Sequence, residues 1–582
     1  MKPGSCSLRG KIIFWITAFV CLSLAVSSCA PLWGVNLLPT TVGVPSSATV
    51  TFTPFQPDGY VPSQTATETL IPVEPTPTPS PTPTSLTPVL WISLAVPERL
   101  RQAALASNLP LAATSETATL RLDVFNPQSS IINPQSTIWY YALVTPFPTV
   151  TDGVTLADIQ NALAGAPTRP FAGRPLWMDE TTLAAFSAIW GAPAAGSVNV
   201  AAADQLLDSA WAAQPAWAII PFEALEPRWK VLAVDGQSPV HNDFDPAIYP
   251  LKIAFSLQPS AFNLPPSNRD PGKLTVLAMT GVTALVRGTA DKMEKLGVLY
   301  PGEEVRDVLR AADLTHISNE ISFRSDCPMP DPWTNSLQFC SNPAYIALLE
   351  DVGTDIVELT GNHLLDYSPA DLLTTLDMYN QRGWKYFGGG RDLQASLQPA
   401  LVEHNGNKLA FIGCNIVGPK KDWATETQPG STPCDFDQLQ TEITLLRSEG
   451  YLPVMTFQYE EIYHPTPTYQ EQIDFRRMAD AGAIIVSGSQ SHVPAAMEFY
   501  DSAFVHYGLG NLFFDQMSHL MPDGSLIYDT RNVLIDRHIF YDGRYLGVEL
   551  LTYIIENYAR PRLMTEPERS QFLQSIFSAA GW

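Results

Sequence analysis

Basic residues are scarce. Lys and Arg total 34 against 58 Asp and Glu, leaving a formal charge of −24 over 582 residues. Nothing in the chain supplies the basic surface that phosphate neutralisation needs, so nucleic-acid binding is excluded as a function class. Cysteine is also rare. There are seven, none in the close CxxC pairs typical of a structural zinc site. The apolar run over 12–26 is too short for a confident membrane span. It follows Lys2, Arg9 and Lys11, which is the pattern of a signal-peptide core. What is present is enough apolar sequence, 45% of residues, for real cores. At this length the default is two folded domains plus unstructured segments.

The leader runs over 1–29 and ends in Val26-Ser27-Ser28-Cys29, which resembles a bacterial lipobox. In that motif the cysteine is diacylated and becomes the mature N terminus. The alternative is an uncleaved N-terminal helix. Either one places the rest of the chain outside the cytoplasm and tethers it to the membrane, the first by a lipid anchor. Residues 30–90 are read as a disordered Pro/Thr-rich linker. The run from Pro75 to Thr84 favours extended, polyproline-like conformations, because each proline fixes φ and removes a donor.

Folded sequence is expected from Trp91. An α/β accessory domain over 91–260 should hold helices at 98–106 and 156–163, an Ala-rich helical stretch at 201–213, and strands at 217–221 and 229–234. The segment 219–236, with Tyr249-Pro250-Leu251, resembles a lobe of an extracytoplasmic solute-binding protein. A Pro/Asn/Ser-rich boundary at 263–272 precedes a second domain over 272–560, followed by a C-terminal tail at 561–582. Strands at 273–277, 314–318 and 355–359 should alternate with helices at 303–312, 344–352 and 369–381. Ser368 as N-cap, Pro369 in the first turn and Asp371 as the capping-box partner mark the start of the last helix. Asn405-Gly406 and Asp542-Gly543 signal hairpins, so antiparallel pairs accompany the βαβ units. The sum is a mixed α/β sandwich.

The stretch 355–366, DIVELTGNHLLD, concentrates the chemistry. A short apolar strand there delivers Thr-Gly-Asn-His into a loop, at the strand end where α/β sheets usually place functional groups. Gly361 permits close backbone approach, Asn362 offers an amide oxygen to a metal, and His363 can donate a proton. The competing reading is a loop whose polar side chains only satisfy backbone groups.

From about 273 to 516 the order of motifs resembles the CapA family, the poly-γ-glutamate capsule synthesis proteins. The matches are Gly281-Val282 with Arg287, Asp313, Ser318-Asn319-Glu320, Gly361-Asn362-His363 with Asp366, and Gly388-Gly389-Gly390. Two more follow, Gly488-Ser489-Gln490-Ser491-His492-Val493 and Tyr507-Gly508-Leu509-Gly510-Asn511. The resemblance implies a metallophosphatase-like α/β/β/α sandwich in the second domain. It also implies His363 and Asp366 as catalytic groups, Arg287 and Asn511 as ligand contacts, and Glu320, Asn362, His492, Gln458 and Gln490 around a divalent metal (Mn, Fe or Zn). The departures are as informative. Val282 stands where the family has its first Asp, and Gln458 and Gln490 stand where it has His. A two-metal centre needs several carboxylate and imidazole ligands, so one weak metal site, or none, is expected here. Glu460 and Glu461 are candidate replacement carboxylates or simply surface acids. His316 alternates onto one strand face with Ser318 and is either a minor site candidate or a satisfied strand histidine.

With Cys6 and Cys21 in the leader and Cys29 at the acylation site, Cys327, Cys340, Cys414 and Cys434 remain for disulfides in an oxidising compartment. Three pairings are open, Cys327 with Cys340 and Cys414 with Cys434 being the local one. Two functions follow. One is a surface protein of capsule or extracellular polymer assembly with a degenerate metal centre, engaging an anionic or peptide polymer or the polymer-synthesis machinery. The other is an active metallophosphatase-like hydrolase or transferase using Glu320, Asn362, His363 and His492.

Overall fold

A computed structural model describes residues 88–582 apart from 126–135, 172, 335 and 517–527. The leader, the lipobox-like cysteine and almost all of the proline-rich linker lie outside the described residues. Ser85–Trp582 packs as one compact unit, and within it two sheet systems form.

The first is a mixed sheet in the spatial order Leu90–Ile92, Leu120–Val124, Lys252–Gln258, Ser136–Pro146, Trp217–Pro221, Leu176–Met178 and Val198–Val200. Its core is aromatic, with Trp139, Tyr141, Phe171 and Phe255 fully buried. The helix Leu156–Leu163 begins at a capping box between Thr155 and Asp158. The Ala-rich stretch divides into a 3-10 turn, Ala203–Gln205, and a shorter helix, Leu206–Ala212. The expected boundary at 263–272 is woven into this sheet. Asn268, buried, exchanges two 2.9 Å hydrogen bonds with the Tyr140 backbone and donates to Glu223 at 2.6 Å.

The second system is two facing sheets. One runs Lys385–Phe387, Ile356–Glu358, Leu314–Asn319, Leu274–Thr280, Asn532–Tyr541, Arg544–Glu556 and Arg560–Leu563. The other runs Ala400–His404, Asn407–Asn415, Leu452–Gln458, Ile485–Ser489, Ala503–His506 and Met497–Tyr500. Strand alternation decides which layer each side chain serves. Leu277 and Met279 point into the space between the sheets with Phe411, Val454, Ile485 and Phe540. Ala278 points the other way, under the helices Arg287–Leu296, Ile346–Asp351 and Pro369–Arg382, whose Ala290, Leu348, Leu372 and Leu376 cover that face. Phe436–Ser448 and Tyr469–Asp480 cover the outer face of the second sheet through Leu439, Ile443, Phe475 and Met478. The result is an α/β/β/α sandwich. Both predicted hairpins form, at Asn405-Gly406 and Asp542-Gly543.

Two local expectations need correction. Ser368 caps its helix by accepting from the Asp371 N–H, but the Asp371 carboxylate does not close the box. Its Oδ2 accepts from the Ser368 hydroxyl at 2.7 Å and from Arg324 at 3.0 Å in place of the Ser368 N–H. The segment 561–582, expected as a tail, is part of the fold. Its edge strand Arg560–Leu563 pairs with Arg544–Glu556, and the helix Glu566–Ala579 buries Phe572, Leu573, Ile576 and Phe577. That helix and Trp582 also meet the first sheet system. Phe147 lies edge-on to Phe499 and Trp582 at 5.0 and 5.7 Å, and burying such a ring contributes roughly 1.5–3 kcal/mol. Arg569 pairs with Asp152 at 2.7 Å.

Candidate functional site

The two sheets bring the C-terminal ends of their parallel strands to one edge, the place where an α/β fold assembles side chains from distant segments. Leu314–Asn319 delivers Glu320, Ile356–Glu358 leads to Asn362 and His363, Leu452–Gln458 ends in Gln458, and Ile485–Ser489 leads to Gln490. Gly361 is required for the assembly, since a Cβ there would lie 2.6 Å from the Glu320 Cα.

Four of the five expected metal-site residues converge. Gln458 Nε2 donates to Glu320 Oε1 at 2.8 Å, to Asn362 Oδ1 at 3.2 Å, and to Gln490 Oε1. Gln458 Oε1 accepts from Ser489 Oγ at 2.6 Å. Glu320, Gln458 and Gln490 are buried, and Asn362 is half-buried.

The fifth residue, His492, is held by other partners. Its Nδ1 meets Asn511 Oδ1 at 2.9 Å, while Asn511 Nδ2 donates back to the His492 carbonyl at 3.2 Å. Its Nε2 faces Glu461 at 4.0 Å. Asn511, expected as a ligand contact, therefore positions this histidine. Gln490 and His492 both have positive φ, 80° and 53°. Such backbone costs on the order of 1–3 kcal/mol per residue and tends to persist at functional sites.

His363 and Asp366 form a pair, Nδ1 to Oδ2 at 2.7 Å. The same carboxylate accepts from the Phe339 N–H at 2.8 Å and faces Lys421 at 3.3 Å. Burial works against a charge on His363. The hydrogen bond and charge of Asp366, aided by Glu320 and Asp422, outweigh it and raise the ring's pKa. Arg287 lies over the rings of Phe339 and Phe514, 4.7 and 5.7 Å from their centroids. Burial lowers its pKa against the charges of Asp515, Tyr463 and Glu461. It borders a cavity of about 270 Å³ lined also by Glu294, Phe339, Tyr345 and Tyr367. The wall of that cavity is the segment closed by the Cys327–Cys340 disulfide, whose Met329, Trp333 and Leu337 are exposed. The other disulfide joins Cys414 to Cys434.

Some contributors escaped the sequence reading. Glu358, beneath the cleft floor, accepts from Thr360 at 2.6 Å and faces His316 Nε2 at 3.2 Å. His316 is thus a buried partner within the sandwich. Lys421 and Asp422 flank Asp366, and buried Asp422 accepts from the Leu365 N–H at 3.2 Å. Their only signal was a Lys-Lys-Asp-Trp loop with no periodicity to place it. Glu460 and Glu461 are exposed, and Glu461 engages the Tyr463 hydroxyl.

A binuclear centre needs several anionic or imidazole ligands. The converging set offers one carboxylate, from Glu320, and neutral amide oxygens. Val282, where the resemblance expects an Asp, is packed in an apolar cluster with Ile321, Phe339 and Phe514. Among the described residues no group of three or more His, Cys, Asp or Glu is placed to hold a metal ion. The residues present do not fit a two-metal Mn, Fe or Zn centre.

The α/β/β/α sandwich with polar residues at its strand ends is the architecture that the sequence resemblance implied. Residues 276–516 match the family described as "Bacterial capsule synthesis protein PGA_cap". The chain is similar to the "PGA biosynthesis protein CapA" of Bacillus subtilis (strain 168), 24% identical over 38% of this chain and 59% of that protein. It is also similar to the "Capsule biosynthesis protein CapA" of Bacillus anthracis, 23% identical over 46% of this chain and 68% of that protein. Among solved structures, a 5'-nucleotidase precursor from Thermus thermophilus is similar over 53% of this chain and 58% of that one. Its identity is 16% and its TM-score 0.28, too slight for any argument here. Residues 276–516 are thus similar to capsule synthesis proteins of the CapA type at low identity.

Proposed function

We propose that this protein is a cell-surface accessory of capsule or extracellular polymer synthesis, of the poly-γ-glutamate type, that binds in its cleft instead of hydrolysing there. The observation that carries the reading is a cleft that keeps Arg287 and the His363–Asp366 pair while lacking the ligands of a metal centre. Arg287 and the Asp366-paired His363 remain on the strand-end edge, beside a cavity lined by Met329, Phe339 and Tyr345, whereas Glu320 is the one carboxylate among the converging oxygens. A guanidinium, an imidazole donor and an apolar rim suit a carboxylate-bearing peptide polymer or a segment of the synthesis machinery. Similarity to proteins named for capsule and PGA biosynthesis supports the same class.

The lipobox-like leader and the Pro/Thr-rich linker support an extracytoplasmic location, tethered to the membrane by a lipid or an N-terminal helix. Among the described residues no helix is long and apolar enough to cross a membrane. The sheet system preceding residue 260 is read as an α/β accessory domain, with the solute-binding-protein-like segment 219–236.

The test is surface polymer in a strain lacking this chain. Wild type should restore it, and Arg287→Ala with His363→Ala should not. Unchanged polymer in the deletion strain would refute the reading. A second reading, a hydrolase, has the His363–Asp366 pair in its favour. It requires metal-dependent cleavage of a phosphoester that disappears in His363→Ala.

A further inference from the structure

We infer that the Gln458 side-chain amide takes the place of a metal ion at the centre of the cleft, closing it to cations. The inference deepens the degenerate-centre reading proposed above. Three oxygens, from Glu320, Asn362 and Gln490, converge on one nitrogen although they lie 138, 96 and 32 residues away along the chain. Acceptor oxygens gathered at a point repel one another unless something positive occupies it. In an oxygen-lined site that occupant is usually a hard cation. Here it is the two partly positive N–H bonds of a primary amide, which also supply the buried Glu320 carboxylate with the hydrogen bonding its burial requires.

The orientation of the amide follows from the same count. Turning it by half a rotation about its terminal bond would bring Oε1 to the meeting point as a fourth oxygen, with no proton to separate them. With Asn362 and Gln490 presenting their oxygens as they do, that arrangement would call for a cation. With the amide as it stands, Oε1 points away and accepts from Ser489 Oγ at 2.6 Å. Gln458 thus ties both sheets together across the cleft, Glu320 and Asn362 from one and Gln490 from the other. The left-handed backbone of Gln490 is held by this hub.

A substitution that turns the donor into an acceptor tests the idea. Gln458→Glu places a second carboxylate among the same oxygens, which then require a cation. Thermal unfolding of the full chain is followed in EDTA and in roughly 1 mM Mn²⁺ or Ca²⁺. Wild type should melt at the same temperature in all three. Gln458→Glu should melt about 5 °C lower in EDTA and recover that loss with either ion. Gln458→His, which restores an imidazole ligand, should in addition co-purify with Mn²⁺ or Zn²⁺. The inference is overturned if wild type is itself stabilised by several degrees by a divalent ion, a result that needs no variant to fold. It is equally overturned if Gln458→Glu folds and ignores the ions. Failure of the polymer reading would appear in surface polymer and not in these melts, so the two remain separable.

Discussion

Asp366 Oδ2 accepts from two directions at once, 2.7 Å from His363 Nδ1 and 2.8 Å from the Phe339 N–H. One carboxylate thereby joins the cleft histidine to the disulfide-closed segment that walls the cavity. Asp366→Asn keeps the volume but replaces a charge-assisted acceptor with a group that also presents donors to both partners. The expected loss is about 1–3 kcal/mol of folding stability, checked by denaturant unfolding, with the Cys327–Cys340 segment becoming more open to proteolysis. Unchanged stability and unchanged cleavage would show that the pair does not brace the wall.

The Cys414–Cys434 disulfide closes a loop of 20 residues beside the cleft. Within that loop Asn415 Oδ1 accepts from the Gly418 N–H at 2.6 Å, and Asp422 accepts from the Leu365 N–H. Replacing both cysteines by serine should cost about 3 kcal/mol through the freedom returned to the unfolded chain. The check is the denaturation midpoint of the double variant against wild type, both under non-reducing conditions so that Cys327–Cys340 stays closed in each.

Glu471 should give the protein a pH-dependent weakness. It caps the helix Tyr469–Asp480 with Thr468. Burial, with the charge of Glu460 added, pushes its carboxyl up to about 7 against the opposing Thr468 N–H. The unfolded carboxyl loses its proton near the ordinary 4.5, so the folded state holds the proton over a range where the unfolded state has released it. Stability contributed by this residue therefore falls as pH rises from about 4.5 to 7. Unfolding free energy measured across that range should fall less steeply in Glu471→Gln. Parallel curves would contradict the assignment.

Much of the fold was legible because short-range patterns determine it. The buried strand Trp217–Pro221 and the helix Leu156–Leu163 occur where the apolar period puts them. The two Xaa-Gly hairpins announce themselves as well. The site was legible only as a set of candidates. Which residues meet depends on strand ends brought together across two sheets, and nothing local to Gln458 says that its amide will lie 2.8 Å from Glu320. The separation of His492 from that hub is set by Asn511, 19 residues away. Asp371 illustrates the same limit, since its carboxylate also pairs with Arg324, 47 residues upstream. Residues 561–582 looked like a tail because their apolar face is meaningful only against the sheet it covers.

The cleft proposed here to bind without hydrolysing should hold no metal centre. Metal content by mass spectrometry, on wild type exposed to Mn²⁺, Zn²⁺ and Fe²⁺ and then desalted, tests it most directly. The His363→Ala/His492→Ala double variant serves as control. The account predicts far less than one ion per chain in both proteins. Near-stoichiometric metal in wild type that disappears in the double variant would contradict it and return the protein to the metalloenzymes.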